Sequence, residues 1–324
     1  MSQATPSLDF ILGRARELAS PKVGWSFRGL VGLGDQVYMR PFVLDAVLQG
    51  LQTFLYTPWP ELYWHVEGQL GLIPEHHGFR TQQANVEAQP PGRWTSPPRY
   101  SRFIDLNYTP WTHRQEGTII DAMLSRWGVG EIDFSLPVAP AWEDSAQRVL
   151  DGLDLGGRQL CLVYLPTVRH EWYVPARNPK PEYLRMLLEK HRERFFYLGV
   201  SWVAEGQEMI DGDYPVIDAQ FIHGELHYTV LAALARQASM VLTHPNFMVP
   251  LGAAVGARMF VLYGGFTRPS LTLDPRMGLE TVRYVAPEPF CHCVEGSHNC
   301  VKDIPLDRLD WTFERFLAEV VESG

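Results

Sequence analysis

The chain lacks any apolar run long enough for a bilayer, since a membrane-spanning helix needs about 20 consecutive apolar residues. Its longest such stretch, Val249–Phe266, is broken by Arg258 and four glycines. No transmembrane segment is therefore expected. The opening, Met1–Asp9, has neither the basic start nor the apolar core of a secretory signal. Cysteine is scarce, with four in 324 residues. Three of them crowd near the end, which excludes the disulfide framework of a small secreted protein. A reducing cytoplasm is the expected compartment. Basic residues are in deficit, 28 against 37 acidic, for a formal net charge of -9. That balance excludes a general attraction for nucleic acid but leaves room for local basic patches. A dinucleotide fingerprint is missing too. The first glycine turn reads Gly29-x-x-Gly32-x-Gly34, and no acidic residue closes the strand that follows, where a ribose contact would stand. Both departures argue against a Rossmann dehydrogenase.

What is present is ordinary globular composition, 46% hydrophobic and 20% charged. The length suits two domains of roughly 150 residues each. Leu8–Ala19 has apolar residues at helical spacing and ends before Pro21. A strand from Val23 to Phe27, the glycine turn, a helix over 36–51 and a strand over 53–56 form a βαβ unit. A short helix is expected over 60–66, and the Pro-, Gly- and His-rich stretch Gly71–Pro98 reads as one long loop. A strand over 104–107 and helices over 119–127 and 144–153 follow, before Gly156-Gly157 marks a hinge. The second half alternates strands (160–164, 195–198, 240–243, 259–263) with helices (181–191, 226–237, 247–255), and an amphipathic helix over 306–321 ends it. Two doubly wound α/β halves are predicted, with ligands expected outside the carboxyl ends of the strands.

Asp35 follows the glycine turn at the start of a helix, where the helix dipole favours an ionised carboxylate able to accept a proton. A plain helix cap is the competing reading of that position.

These residues carry a family resemblance. Gly32-Leu-Gly34-Asp35 with Pro41 in the helix resembles the opening of the heptosyltransferase-like glycosyltransferases, glycosyltransferase family 9. Leu165-Pro-Thr167-Val-Arg169 with Pro175 is similar to that family's donor-phosphate segment. Leu231–Leu234, Met240–Thr243, Leu251–Gly256 and Phe260–Gly264 follow its best-preserved block in order, and Cys291-His-Cys293, Cys300 and Ile304 resemble its C-terminal segment. The resemblance implies a GT-B architecture of two Rossmann-like domains facing each other across a cleft. Residues 1–154 would hold the acceptor, residues 155–305 the nucleotide sugar, and the helix 306–324 would cross back to the N-terminal domain. It implies Asp35 as the general base of an inverting, metal-independent transfer. Donor contacts would come from Gly34, Thr167, Arg169, Arg177, Glu205, Asn246 and Gly264, and acceptor contacts from Arg40, Arg99, Arg102 and Trp111. The nucleotide sugar is a substrate, and no cofactor is expected. One departure stands out. Where the family places Asn-Asp-Ser-Gly-Pro-x-His, this chain reads His244-Pro-Asn-Phe-Met-Val-Pro250, so the phosphates are expected to be held differently, or the donor to be other than ADP-heptose.

The acceptor is expected to be a lipopolysaccharide-type or other glycan hydroxyl. A hydroxylated base in DNA is the alternative, because Arg93–Arg114 interleaves arginines with Trp94, Tyr100, Phe103, Tyr108 and Trp111. Flanks of an ordinary core strand explain the same pattern. A nucleotide-sugar epimerase or hydrolase, and a non-catalytic binding protein, are readings of other classes. Cys291, Cys293, Cys300 and His298 are soft ligands enough for one zinc. Their spacing lacks a Cys-x-x-Cys pair, so packed thiols or a disulfide is the expectation and no metal is assigned. Lys180–Arg194 reads as a solvated charged face, His223 and His227 as non-ligands, and Trp59–Trp64 as packing.

Overall fold

The computed structural model describes residues 24–108, 117–128, 132–293 and 295–322. The helix expected over Leu8–Ala19, together with Trp111 and Arg114, lies outside the described residues. The described residues up to 108, with those of 120–132, form one compact unit; those of 117–119 and from 133 onward form a second.

In the first unit β1 (Gly24–Arg28) leads through the glycine turn into α1 (Leu33–Leu48). Then come β2 (Thr53–Thr57), a 3-10 segment (Pro60–Gln69), β3 (Leu70–Pro74), α2 (Arg80–Glu87) and β4 (Ser101–Asp105). The strands make one parallel sheet in the order β3-β2-β1-β4. Its core holds Phe27, Met39, Phe42 and Leu55, and the Trp127 indole meets Trp25 and Phe27 edge-on at 5.1 and 5.0 Å. Trp127 Nε1 donates to Asp45 at 2.8 Å. The indole is thereby satisfied where it is buried.

Gly71–Pro98 is not the single loop its composition suggests. Leu70, Leu72 and Ile73 are buried in β3, which pairs with β2 from Thr53–Leu70 to Thr57–Pro74. Gly71 is there because the Phe54 ring covers it; a Cβ would come within 2.5 Å of a ring carbon. In α2 the buried residues are polar. Asn85 donates to the Pro58 carbonyl at 2.5 Å, and Gln82 Oε1 accepts the His77 N–H at 3.1 Å. An inward face made of amides carries no hydrophobic period, and composition alone therefore conceals the helix.

The short helix α3 (Ile119–Leu124) precedes the second unit's own elements. These are α4 (Pro140–Asp151), β5 (Gln159–Tyr164), β6 (Thr167–Arg169), α5 (Pro181–Lys190), β7 (Phe195–Val200), β8 (Glu208–Ile210) and β9 (Ala219–Phe221). They continue with α6 (Tyr228–Gln237), β10 (Met240–Thr243), α7 (Met248–Ala254), β11 (Met259–Leu262), α8 (Pro269–Thr272), β12 (Val282–Val285) and α9 (Leu306–Phe316). Six strands form a parallel sheet ordered β12-β11-β10-β5-β7-β9, while β6 and β8 make a small antiparallel ribbon.

One face of the six-stranded sheet packs Cys161, Val163, Tyr197, Leu242 and Phe260 against Leu184, Leu187 and Leu188 of α5 and Leu309, Phe313 and Phe316 of α9. The final helix packs on the core of the second unit. The physical reason is its stripe of Leu309, Phe313 and Phe316, fully buried side chains at helical spacing. Burial of each stabilises by about 1.5–3 kcal/mol. The basic run Lys180–Arg194 is paired with acids on and beside this helix. Lys190 holds Asp310 and Glu314, Arg194 holds Glu322, and Lys180 holds Asp303. α4 lies against α6, so this helix, expected in the N-terminal half, packs within the second unit. Among the described residues no helix is long and apolar enough to cross a membrane.

Candidate active site

Each parallel sheet has one place where its winding reverses. In the first unit β1 lies between β2 and β4, and the residues after β1 and β4 meet there. A ligand in an open α/β sheet binds outside the carboxyl ends at such a switch point. Asp35 stands in the first turn of α1, half-buried, and the Tyr108 hydroxyl beyond β4 donates to its Oδ1 at 2.5 Å. The turn that presents it is fixed from below. Gln36 donates to the Leu30 carbonyl and Trp59 Nε1 to the Val31 carbonyl, both at 2.8 Å. A side chain at Gly32 would run into the Asp35 carboxylate, which explains the glycine. A carboxylate held by a phenol and by the positive end of a helix is suited to take a proton from a hydroxyl.

Gly34, expected on the donor, is Asp35's neighbour in this same turn. Arg40, expected on the acceptor, is a core arginine with 1% of its surface exposed. It donates to the Leu62 carbonyl at 3.0 Å and contacts the His65 ring at 3.1 Å. The reason is geometric, since five helical positions past Asp35 its side chain points into the unit. Arg99 is exposed and lies over Tyr100 (5.5 Å), and Arg102 lies over Trp25 (5.2 Å) on the edge strand β4. Tyr100 and Phe103 are among the exposed large hydrophobic side chains.

In the second unit the reversal falls between β5 and β10. Tyr164 ends β5 and His244 follows β10. Their rings are 5.9 Å apart, and Phe247 meets Tyr164 edge-on at 5.2 Å. His244 is buried, and burial together with the Arg177 charge lowers its pKa to about 3. The ring is therefore neutral near pH 7. Burial pushes the Tyr164 phenol up to about 12. Arg177, in the 3-10 turn Pro175–Arg177, lays its guanidinium on the Trp172 ring at 4.5 Å.

Several expected donor residues gather here. Gly264 lies on the Arg177–Asn178 backbone so closely that no Cβ fits between them. Asn178, fully buried, donates to the Thr167 carbonyl and to Asp211, both at 2.9 Å. The Lys302 ammonium donates to the carbonyls of Pro175 and Asn178 at 2.8 and 2.7 Å. Arg169 is already matched by carboxylates, Glu208 at 2.5 Å and Glu171 at 3.2 Å. Glu205 sits on an exposed turn before β8. Asn246 shapes the start of α7, accepting from the Met248 N–H at 2.6 Å and donating to Thr243 Oγ1 at 3.1 Å. Tyr164, His244, Asn178, Lys302 and the Tyr108 bond were not singled out from sequence. The strand order would have flagged Tyr164 and His244, because each stands at the carboxyl end of a strand flanking the reversal.

No family model matches the chain, and no curated protein does. Solved structures match over nearly its whole length. A glycosyl transferase family 9 structure from Veillonella parvula superposes with a TM-score of 0.60 at 12% identity, covering 91% of this chain and 97% of its own. The E. coli ADP-heptose LPS heptosyltransferase II gives 0.58 at 13%, covering 93% and 100%. E. coli heptosyltransferase WaaC with ADP gives 0.51 at 12%, covering 90% and 99%. At such identities the likeness is one of fold. The chain has the α/β fold of the GT-B glycosyltransferases of family 9, as the motif order implied.

Proposed function

We propose that this chain is an inverting glycosyltransferase that moves a sugar from a nucleotide-sugar donor to an acceptor hydroxyl. The observation that carries the reading is Asp35, positioned by Tyr108 at the first sheet's switch point on a fold shared with family 9 glycosyltransferases. In the reaction Asp35 takes the acceptor proton as the oxygen attacks the anomeric carbon, the bond to the diphosphate breaks on the opposite face, and the configuration inverts. The leaving diphosphate gains negative charge, which Arg177 beside a neutral His244 is suited to offset. Phe247, edge-on to Tyr164, adds an apolar surface beside them.

The test is transfer by Asp35→Asn, which keeps an acceptor atom for Tyr108. Turnover should drop by about 10²–10⁴-fold, the usual worth of a general base, with nucleotide affinity unchanged. Near-wild-type turnover would sink the assignment. Donor consumed without acceptor would point instead to an epimerase or hydrolase.

A glycan acceptor fits the exposed Tyr100 and Phe103, since flat apolar surfaces suit sugar faces. The DNA alternative rests on Arg99 and Arg102. It requires salt-dependent binding weakened by Arg99→Ala and Arg102→Ala, and the net charge of -9 gives it no general support.

A further inference from the structure

Cys291, Cys293, His298 and Cys300 lie between β12 and α9, and all their ligand atoms fall within 4.8 Å of one another. All four of the chain's cysteines, these three included, are free thiols. Cys291 Sγ is 3.6 Å from Cys293 Sγ and 3.5 Å from His298 Nδ1, and Cys300 Sγ is 3.3 Å from that nitrogen. A zinc ion at its usual bond lengths separates tetrahedral sulfur ligands by about 3.8 Å and sulfur from nitrogen by about 3.5 Å. Those three separations are close to tetrahedral edges. Cys293 and Cys300 approach to 2.6 Å and would widen to a fourth edge on sharing one cation.

We propose that this quartet binds one zinc ion through three cysteine sulfurs and His298 Nδ1. Binding releases three thiol protons to solvent and leaves a complex of charge -1, with the Lys302 ammonium in the same neighbourhood. Spacing alone disfavours a site, because the two-residue gap of Cys-x-x-Cys is missing. The fold supplies what spacing lacks. A turn in which the His298 N–H donates to the Glu295 carbonyl brings His298 and Cys300 back over the Cys291–Cys293 pair. Gly265 makes the floor, where a Cβ would come within 2.7 Å of Cys300 Sγ and 3.0 Å of Cys293 Sγ. Phe266, at φ 63°, donates its N–H to the Cys291 carbonyl at 3.1 Å. Such a bond is a support of the kind that orients metal ligands from behind.

The site is a staple rather than a reaction centre, since four protein ligands leave no open position. Ala176 packs on Cys293 and Cys300, its N–H donates to Gly296, and its carbonyl accepts from Gly265. The ion therefore fixes the Pro175–Arg177 turn against Gly264 and Gly265. Its link to donor binding rests on the function proposed above; its existence does not.

The experiment uses the full chain purified without a polyhistidine tag. Elemental analysis should find close to one zinc per chain, and a chelator should lower the melting temperature, restored by zinc. Cys291→Ser and His298→Ala alter side chains at the rim rather than the core, and each should retain less than a tenth of the zinc. Protein purified in reductant that carries no metal and whose melting temperature zinc does not raise, or protein that carries a Cys293–Cys300 disulfide by mass spectrometry, overturns the site. Iron in place of zinc overturns the ion's identity. Unchanged nucleotide affinity after zinc removal overturns only the link to the donor turn.

Discussion

A histidine with its pKa near 3 makes stability depend on pH in a definable direction. His244 is buried and neutral when folded, whereas in the unfolded chain it titrates near 6.5. Between those values the unfolded state binds the extra proton, so stability falls as the pH falls from about 6.5 toward 3. By pH 5 the loss from this one ring is about 2 kcal/mol. His244→Gln should remove that part of the acid sensitivity, read as urea midpoints at pH 7 and pH 5 for both proteins. Equal acid losses in both would show that the ring is not buried neutral. The place of Asp35, in the first turn of a helix after a glycine turn, was legible in sequence because that turn has a pattern. His244 was not, since its role comes from two strands adjacent in the sheet but far apart in the chain, Tyr164 ending one and Thr243 the other. Arg40 failed for the reverse reason. An arginine near a motif looks like a ligand contact until the helix phase turns it inward.

At the scale of elements, apolar strands with regular periods were visible: Met240–Thr243 stands where the alternation put it, and the strands about Cys161, Phe196 and Phe260 lie close to their expected bounds. What composition hid was β3 and α2, where glycine means close packing and the inner face of a helix is amide. The glycine argument can be tested directly. Gly71→Val must displace the Phe54 ring and should cost about 1–3 kcal/mol by overpacking. Gly68→Val, where a Cβ meets no neighbouring atom, is the matched control and should cost less than about 1 kcal/mol, as surface changes do. Phe54→Leu should recover part of the Gly71→Val loss in a double-mutant cycle, since the two side chains compete for one space. Additive losses would mean that the ring is not the obstacle.

Across the whole molecule, the two units each carry one parallel sheet and one winding reversal, so each offers one natural ligand position. Their chemistry differs. The first presents a carboxylate and a phenol, Asp35 and Tyr108, which would repel a diphosphate and suit a hydroxyl. The second presents Arg177 on its ring beside neutral His244, which suits an anion. The proposed partition of substrates rests on that difference and is measurable without activity. A panel of nucleoside diphosphates, followed by hydrogen exchange, should slow exchange in peptides covering 164–178, 243–247 and 264–266. Peptides covering 24–57 should exchange as before, because a ligand lends its binding free energy to the segments that hold it. Protection centred on the turn 29–35 instead would reverse the partition, placing the nucleotide on the first unit and removing Asp35 from the acceptor side. Arg177→Ala should abolish the second-unit protection while leaving exchange elsewhere unaltered, which separates loss of a phosphate contact from a general loosening of the sheet.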